Sequence, residues 1–559
     1  MNGAEAICHI LEDEGVKYIF GVPGSTEIPL LDALTQTAEI KYISAVHESV
    51  SMGMADGYAR ASGKAGVVLV HTAPGTSYVI GNLYNAYNAN TPVVVIAGKQ
   101  DSRMARCDPF LDAELLPMVS EFTKGCWNVT HAHDIMPSLR NAFKEAATSP
   151  MGPVFVAIPR DLQSEVVDPV YSVGRARQIS AGVRPDKEHL EKAAQLLVEA
   201  EQPAILAGHQ VADADAMREL IEVAELLGAP VFITAQVPKL IFPTDHPLYF
   251  SRVPPIGFSL PGLEGHTDVL LAIGSNLFKQ LFYVGGYLIS PEIKTIQVDL
   301  DPRGLSKDCS VDVSILSNPK IALAELIGEI KKMISDSHRE RNQRRLKKMK
   351  GLHDKLMAGR QADFRKERNT VPMKPSRAIT EIAEALPRGT IVVDEAVMLT
   401  SYVECCMHFA EQGSYFSSNA CLGWGLPASL GVSLASSYPV VAMVGDGSAI
   451  FGIQSLWTAA KYQIPVTIVV LNNRGYAAIK WGFSMLPDRV SKQGDDLGYD
   501  LGGVDFTKLA EAFGVEGQRI EDPSKIKPIV QKAIKADKPV LIDLIVDPRD
   551  VGYGLPGLP

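Results

Sequence analysis

Short apolar runs alternate with amphipathic stretches along the chain, and the change of period is clearest between residues 439 and 476. Residues 439–444 form an uninterrupted apolar run, which is typical of a strand buried on both faces of a parallel sheet. Residues 448–462 carry apolar side chains at helical spacing, and residues 465–471 form a second apolar run. The pattern predicts one strand-helix-strand unit with parallel strands.

The same alternation recurs over the rest of the chain. A helix with Thr26 as its N-cap is predicted to run to about residue 34, and another helix covers residues 213–227. Further strands are predicted at residues 16–20, 40–46, 66–70, 92–98, 153–158, 204–207, 230–234, 268–273, 295–298, 390–394 and 539–546. Strands that alternate with helices in this way predict an α/β fold made of three doubly wound parallel-sheet domains.

Weakly periodic and highly charged stretches separate these domains. We place the first domain at residues 1–165, a central α/β domain at 185–330, a basic helical linker at 331–372, a third domain at 373–548 and a tail at 549–559. The basic run could be a nucleic-acid site, but its interspersed leucines favour an exposed helix between domains. The central domain has no GxGxxG fingerprint, so a dinucleotide site there is unsupported.

Polar residues follow both strands of the 439–476 unit. Gly445-Asp446-Gly447 ends the first apolar run, Asn472-Asn473 ends the second, and 24 residues lie between Gly447 and Asn472. Because ligands bind at the carboxyl ends of strands in open α/β sheets, Asp446 and Asn473 could converge on one ligand. Their oxygens would suit Mg²⁺ if a phosphorylated ligand completed its coordination. The alternative is that both stretches are only turns.

Composition narrows the class of protein. The chain has 559 residues, 46% hydrophobic and 21% charged, which indicates a globular protein with a large core. A formal charge of −10 argues against a general nucleic-acid or anionic-membrane surface. No apolar run reaches the roughly 18 residues of a membrane helix, and no signal segment is evident, so a cytoplasmic location is predicted. Seven cysteines without a CxxC pair are expected to be reduced, and His131 and His133 match no zinc pattern.

The spacing of Gly-Asp-Gly and Asn-Asn resembles the diphosphate-anchoring motif of thiamine diphosphate (ThDP) enzymes. The resemblance implies that Asp446, the Asn473 side chain and the Gly475 carbonyl bind Mg²⁺. It also implies that the first and third domains bind the pyrimidine and the diphosphate of the cofactor. The other cofactor-binding residues it implies are Gly445, Gly447, Ser448 and Tyr476.

Glu48 follows a predicted buried strand and opens a helix, in a run that resembles the glutamate motif of the same family. On that resemblance Glu48 holds a proton on the aminopyrimidine ring, whereas the alternative is a favourable charge at a helix N-terminus. The family builds its site from two subunits, which implies at least a homodimer and favours a homotetramer. By the same resemblance, Leu422 is an apolar wedge beneath the cofactor and the Ala420 carbonyl accepts a hydrogen bond from it.

Within this family the chain resembles the benzoylformate decarboxylases, through residues 20–25, 71–76, 85–92 and 456–465. The resemblance implies that Ser25 binds a substrate carboxylate and that His71 transfers protons. It places the substrate pocket at Leu281, Ile479, Trp481 and Gly482. Two of these residues depart from the pattern, since Leu281 replaces a histidine and Gly482 replaces an aromatic residue.

The resulting prediction is a ThDP- and Mg²⁺-dependent enzyme that decarboxylates a 2-oxo acid without oxidation, through a C2 ylide and an enamine. The alternative is a carboligase or lyase similar to acetolactate synthase or 2-hydroxyacyl-CoA lyase, which would also take an aldehyde acceptor. A scaffold without activity is a third hypothesis, against which Glu48 argues. FAD is possible as a further cofactor but is not supported. No nucleic-acid or membrane partner is expected.

Overall fold

A computed structural model describes residues 1–167, 179–180, 182–235, 237–253, 266–275, 289–307, 309–418, 420–484 and 497–552, with single positions 277, 279, 281, 283 and 285. Two compact units divide these residues. The first contains residues 1–180, 380–400 and 418–551, and the second contains residues 181–379, 401–417 and 552–559. Most of the predicted tail, residues 553–559, lies outside the described residues.

The first sheet is built from the N-terminal part of the chain. Its strands are β1 (Tyr18–Gly21), β2 (Lys41–Ser44), β3 (Gly66–His71), β4 (Val93–Lys99), β5 (Cys126–Asn128) and β6 (Val154–Pro159). The strand order is β2-β1-β3-β4-β6-β5, and neighbouring strands are parallel. The helices are α1 (Gly3–Asp13), α2 (Ile28–Leu34), α3 (Glu48–Ser62), α4 (Thr72–Asn88), α5 (Leu115–Val119), α6 (Ile135–Ala147) and α7 (Arg160–Ser164). Single 3₁₀ turns cover Ser25–Glu27, Ser102–Met104, Ser120–Phe122 and Ala132–Asp134.

The second sheet belongs to the central domain. Its strands are β7 (Pro203–Ala207), β8 (Val231–Ile233), β9 (Tyr249–Arg252), β10 (Val269–Ile273), β11 (Lys294–Asp299) and β12 (Val313–Leu316), in the order β12-β11-β10-β7-β8-β9. The helices are α8 (Lys187–Glu199), α9 (Gln210–Asp213), α10 (Met217–Leu227), α11 (Pro319–Met333) and α12 (Asp336–Glu367). The helix predicted at residues 213–227 begins only at Met217, because Asp213 ends α9 and Asp215 between the two helices has a positive φ of 53°.

The basic helix α12 is anchored on this central domain by one face. The Arg345 guanidinium is buried and donates to the carbonyl oxygens of Ala200 and Glu201, both at 3.0 Å, and to that of Leu227. Burial lowers the pKa of Arg345 to about 10. A face that is fixed through carbonyl oxygens of its own domain is not free to bind nucleic acid.

The third sheet contains the 439–476 unit. Its strands are β13 (Ile391–Glu395), β14 (Tyr415–Ser417), β15 (Val440–Gly445), β16 (Thr467–Asn472), β17 (Glu516–Ile520) and β18 (Val540–Ile545), in the order β14-β13-β15-β16-β18-β17. The helices are α13 (Pro375–Ala385), α14 (Thr400–Cys406), α15 (Gly425–Ala435), α16 (Asp446–Gly452), α17 (Ser455–Tyr462), α18 (Ala477–Ser484), α19 (Phe506–Ala512) and α20 (Ile526–Ile534), with 3₁₀ turns at Val397–Leu399 and Pro523–Lys525. Three six-stranded parallel sheets confirm the predicted fold class. Among the described residues, no helix has both the length and the apolar character needed to cross a membrane.

Helices α3 and α15 pack unusually closely within the first unit. A Cβ atom added to Gly57 of α3 would lie 2.2 Å from the Ala428 carbonyl oxygen of α15, so only glycine allows this approach. A buried ion pair lies at the same crossing, where Arg60 Nη2 is 2.7 Å from Asp56 Oδ2. The Trp424 indole N–H also donates to the Asp56 carboxylate. The packing therefore fixes the helix that begins with Glu48 against the helix that begins just after Leu422.

Candidate active site

The chain reversals after β15 and β16 lie side by side because the two strands are hydrogen-bonded neighbours. Gly445 at the end of β15 pairs with Leu471, one residue before the end of β16. Asp446 is the first residue of α16, and Asn473 follows directly after β16. The predicted convergence of Asp446 and Asn473 is therefore a consequence of the sheet register.

Polar atoms from Asp446, Asn473 and Gly475 meet at this point. Asp446 Oδ1 accepts from the Gly447 N–H at 2.8 Å, and Asp446 Oδ2 accepts from the Gly475 N–H at 2.9 Å. One terminal atom of the Asn473 amide lies 2.7 Å from the Gly475 carbonyl oxygen and 3.2 Å from Asp446 Oδ1. Either the amide nitrogen donates to both oxygens, or the amide oxygen joins them around a cation. Oxygens about 3 Å apart match the edges of an octahedron with Mg²⁺–O bonds of about 2.1 Å.

The surroundings of Asp446 fit a cation and a phosphate. Burial raises the pKa of Asp446 to about 6, and the hydrogen bonds from Gly447 and Gly475 only partly oppose this effect. The Ser448 hydroxyl is buried and has no hydrogen-bond partner among the described residues. A Cβ atom on Gly447 would lie 2.6 Å from the Tyr476 ring, so the half-buried ring packs directly on this glycine. The Asp446 carboxylate, the neighbouring amide and carbonyl groups and the Ser448 hydroxyl would therefore suit Mg²⁺ and a diphosphate.

The loop that carries Ala420 and Leu422 is held at both ends. Asn85 Oδ1 accepts from the Cys421 N–H at 2.8 Å, and the Asn85 amide donates to the Cys421 carbonyl at 2.9 Å. Beyond Leu422, the Glu395 carboxylate accepts from the N–H groups of Trp424 and Gly425, at 3.3 and 2.7 Å. Sequence reasoning missed Asn85 and Glu395, although Asn85 lies in one of the motifs that carry the family resemblance.

Glu48 is the first residue of α3, at the end of the chain segment that follows β2. His47 is the N-cap of this helix, and its Nδ1 accepts from the Ser49 N–H at 3.1 Å. The half-buried Glu48 carboxylate faces α4, where a Cβ atom on Gly75 would lie 3.3 Å from Glu48 Oε1. Its position is compatible with both predictions, the helix-terminal charge and the proton-holding acid.

His71 ends β3 and lies beside the 3₁₀ turn that begins with the exposed Ser25. His71 Nδ1 is 2.9 Å from Thr26 Oγ1 and 3.4 Å from Glu27 Oε1. The prediction that Thr26 caps a helix is wrong, because α2 begins at Ile28 and the buried Thr26 hydroxyl contacts His71 and Glu27 instead. Sequence reasoning also missed Glu27, since a glutamate next to a turn is usually exposed.

The predicted substrate-pocket residues fall in two places. Ile479, Trp481 and Gly482 lie on α18, three to six residues after Tyr476. A Cβ atom on Gly482 would have no described atom within 4 Å, which agrees with the predicted loss of bulk at this position. Leu281 belongs to the second compact unit, where its side chain is 66% exposed, so its assignment to the pocket stays a prediction.

Three family models match successive parts of the chain. The N-terminal TPP (thiamine pyrophosphate) binding domain of thiamine pyrophosphate enzymes matches residues 1–119, and the central domain matches residues 190–326. The C-terminal TPP binding domain matches residues 396–544. The two cofactor-binding matches cover the segments that contain Glu48 and the Asp446 loop.

Relatives named as acetolactate synthases and relatives named as benzoylformate decarboxylases both align over almost the whole chain. A probable acetolactate synthase large subunit from Methanocaldococcus jannaschii is 32% identical, covering 98% of this chain and 93% of the relative. A benzoylformate decarboxylase from Pseudomonas aeruginosa is 29% identical, covering 96% and 97% of the two chains. The solved structure of the ThDP-dependent 4-hydroxybenzoylformate decarboxylase from Rhodococcus jostii RHA1 is similar with a TM-score of 0.85 and 27% identity, covering 98% and 99%. The chain therefore belongs to the family of ThDP-dependent enzymes and is related to both benzoylformate decarboxylases and acetolactate synthases.

Proposed function

We propose that the protein is a ThDP- and Mg²⁺-dependent enzyme that decarboxylates a 2-oxo acid without oxidation. The convergence of the Asp446 carboxylate, the Asn473 amide and the Gly475 carbonyl carries this proposal, because these groups together with a diphosphate would complete the coordination of Mg²⁺. The benzoylformate decarboxylase relatives support the reaction class. A histidine with buried proton-exchanging neighbours, His71, also supports it, because protons must be delivered to the product.

Different residues of this chain bind the metal ion, the diphosphate and the rest of the cofactor. Asp446, the Asn473 amide and the Gly475 carbonyl bind Mg²⁺, while the free Ser448 hydroxyl and the backbone near Gly445 and Gly447 bind the diphosphate. Tyr476, Leu422 and the Ala420 carbonyl contact the rest of the molecule. When bound, ThDP supplies a carbon nucleophile and accepts the electrons released as CO₂ leaves.

The remaining polar residues handle protons and the substrate carboxylate. Glu48 holds a proton on the aminopyrimidine ring, for which its half-buried position is favourable. The exposed Ser25 hydroxyl donates to the carboxylate of the 2-oxo acid. His71 exchanges a proton through Nε2, because the described hydrogen bonds of this ring are all made by Nδ1.

A second copy of the chain completes the site in this proposal. Glu48 of one protomer acts on the cofactor bound at Asp446 of its partner, so a homodimer is the minimum assembly and a homotetramer is favoured. Exposed apolar side chains near both halves of the site support this pairing. Val46 precedes the Glu48 helix by two residues, and Phe451, which is 56% exposed, lies on the helix that begins with Asp446.

A panel of aromatic and aliphatic 2-oxo acids with ThDP and Mg²⁺ tests this function. We expect CO₂ and the corresponding aldehyde as products, with loss of turnover after treatment with EDTA and recovery on adding Mg²⁺. Glu48→Gln should abolish turnover, whereas Glu39→Gln, at an exposed position of the same domain, should not. Turnover that is unchanged by Glu48→Gln would contradict the proposal.

A carboligase is the second candidate function. Gly482 favours it, because no atom of the described residues lies within 4 Å of an added Cβ atom, and a glycine leaves more room than an aromatic residue for a second carbonyl compound. The acetolactate synthase relatives support the same possibility. Product analysis with and without an added aldehyde or second 2-oxo acid separates the two. A ligated product that forms faster than free aldehyde would favour the carboligase.

A further inference from the structure

Three side chains at the N-terminal end of α4 form a continuous chain of polar contacts. His71 Nδ1 lies 2.9 Å from Thr26 Oγ1, and the Thr26 hydroxyl in turn hydrogen-bonds to Glu27 Oε1. Both oxygens of the Glu27 carboxylate lie 3.4 Å from His71 Nδ1. Thr26 and Glu27 are each 1% exposed, whereas the His71 side chain is 19% exposed. The chain of contacts therefore runs from a partly accessible imidazole to a carboxylate that solvent does not reach.

Two glycines leave the space that these side chains occupy. A Cβ atom on Gly98, near the end of β4, would lie 1.7 Å from Glu27 Oε1 and 2.4 Å from Thr26 Oγ1. A Cβ atom on Gly24 would lie 2.2 Å from His71 Cγ and 2.5 Å from Glu27 Oε2. Any other residue at either position would displace the carboxylate or the imidazole. The absence of side chains at Gly24 and Gly98 thus makes room for the contacts among Thr26, Glu27 and His71.

The direction in which the Thr26 hydroxyl donates its proton decides which nitrogen of His71 is protonated. A carboxylate only accepts, so the single hydroxyl proton of Thr26 is donated to Glu27. The Thr26 oxygen is then free to accept, and its neighbour at 2.9 Å must be the N–H of His71 Nδ1. With Nδ1 bound in this way, Nε2 is the nitrogen that exchanges a proton with a bound molecule.

We propose that Thr26 and Glu27 are positioning residues that keep a proton on His71 Nδ1 and leave Nε2 to exchange protons with the substrate. This inference rests on the proposed function, in which His71 is the proton-transferring group. Glu27 would also stabilise the positive imidazole that forms when Nε2 takes up a proton, as buried carboxylates beside histidines do. The proton that is exchanged is the one on Nε2, and no proton moves from Nδ1 to Thr26 or Glu27 in this exchange.

The charged surroundings of Glu27 are consistent with this role. Burial raises the pKa of Glu27, and the hydrogen bonds from Thr26 and His71, the charge on His71 and the Gly24 backbone oppose this effect only in part. Tyr42 is the other titratable group that faces Glu27, and its buried hydroxyl has no hydrogen-bond partner among the described residues. Tyr42 also interacts with Glu48. The hydrogen bond from Thr26, followed by a positive charge on His71, is therefore the main compensation for a negative charge on Glu27.

The matched pair Thr26→Val and Thr26→Ser tests the inference without relying on activity. In ¹⁵N-histidine-labelled protein, with the His71 resonances identified by their loss in His71→Asn, we expect the wild type and Thr26→Ser to show the Nδ1–H tautomer. Thr26→Val keeps the shape of the side chain but not the hydroxyl, so its His71 should lose that tautomer preference. An Nε2–H tautomer in the wild type would overturn the inference. Unchanged thermal melting of both variants confirms that each is folded.

Kinetics on an active 2-oxo acid give the second measurement. Thr26→Val and Glu27→Gln should lower kcat by roughly tenfold to a hundredfold with little change in KM, and Thr26→Ser should restore most of kcat. The alkaline limb of the pH profile should move to lower pH in Glu27→Gln, since the protonated imidazole loses its counter-charge. Equal kcat for the valine and serine variants would overturn the inference. If the wild type has no 2-oxo acid turnover, the proposed function fails, and the tautomer measurement alone decides the role of Thr26.

Discussion

The carboxylate of Glu395 accepts a hydrogen bond from the backbone N–H of Gly425, with 2.7 Å between Oε2 and N. This contact joins the end of β13 to the first residue of α15, immediately after the loop that carries Leu422. Glu395 is fully buried, and burial raises its pKa to about 8 in spite of the hydrogen bonds that it accepts. The loop beneath the proposed cofactor is thus held by an acid that is protonated near neutral pH.

The pKa of Glu395 predicts how stability depends on pH. Because the folded-state pKa of about 8 lies above the ordinary value of 4.5, folding favours the protonated acid. The stabilisation is fully present below about pH 4.5 and is lost as the pH rises to about 8, at about 1.4 kcal/mol per pKa unit. In Glu395→Gln this dependence disappears, so the melting temperature of the wild type minus that of the variant should decrease from pH 5 to pH 8. Glu39→Gln serves as the exposed control, and a constant difference would contradict the prediction.

Loss of the Asp446 charge should remove metal-dependent cofactor binding. Asp446→Asn keeps the size of the side chain but removes the anionic oxygen that Mg²⁺ requires, and we expect ThDP affinity in the presence of Mg²⁺ to fall on the order of 100-fold. Isothermal titration calorimetry measures this change. Glu511→Gln, at an exposed carboxylate on α19, should bind ThDP as the wild type does. EDTA should weaken binding to the wild type and leave Asp446→Asn nearly unaffected.

A methyl group at the crossing of α3 and α15 should destabilise the protein. In Gly57→Ala the new Cβ atom would lie 2.2 Å from a backbone oxygen of Ala428, and such overpacking costs roughly 1–3 kcal/mol or more. Gly359→Ala is the matched control, because this glycine lies in the exposed part of α12 with no atom within 4 Å of the added methyl group. The control should be stabilised by about 1 kcal/mol through helix propensity. Calorimetric melting that shifts in the same direction for both variants would refute the close packing.

We expect the buried Asp56 to stabilise the folded protein mainly by neutralising the charge of Arg60. Asp56→Ala leaves the Arg60 guanidinium without its carboxylate in a buried position, at a cost of about 3–5 kcal/mol. Removing both charges in Asp56→Ala with Arg60→Ala should cost less than the sum of the single changes, as shown by a double-mutant cycle of melting transitions. Additive effects would mean that the two side chains do not interact in solution.

The sequence pattern predicts the central strands and the positions of the loops that follow them well. Predicted strands at 439–444 and 465–471 are observed as Val440–Gly445 and Thr467–Asn472, within two residues at each end. Continuous apolar runs of this kind occur where both faces of a strand are buried, so they are read directly from the sequence. The edge strands Cys126–Asn128 and Glu516–Ile520 were not predicted, because short and half-exposed strands carry no such run.

The two buried acids, Glu27 and Glu395, could not be predicted from the local sequence pattern. Glutamate is usually exposed, and each of these residues is buried only because distant segments close over it. Gly98 makes room for Glu27 from another strand, and the N–H of Gly425 approaches Glu395 from across thirty residues of sequence. Such contacts follow from tertiary packing, so local spacing identifies Asp446 and Asn473 but not the carboxylates that support the neighbouring loops.

The close contact of α3 with α15 has a consequence for the proposed dimer. Each chain would contribute Glu48 to one reaction centre and Leu422 to the other, and within a single chain the helices attached to these residues touch at Gly57 and Ala428. The two active sites of the dimer would therefore be connected, within each subunit, by the tightly packed helices α3 and α15. In such a dimer, a shift of the helix that begins with Glu48 at one centre would be transmitted to the helix that follows Leu422 at the other.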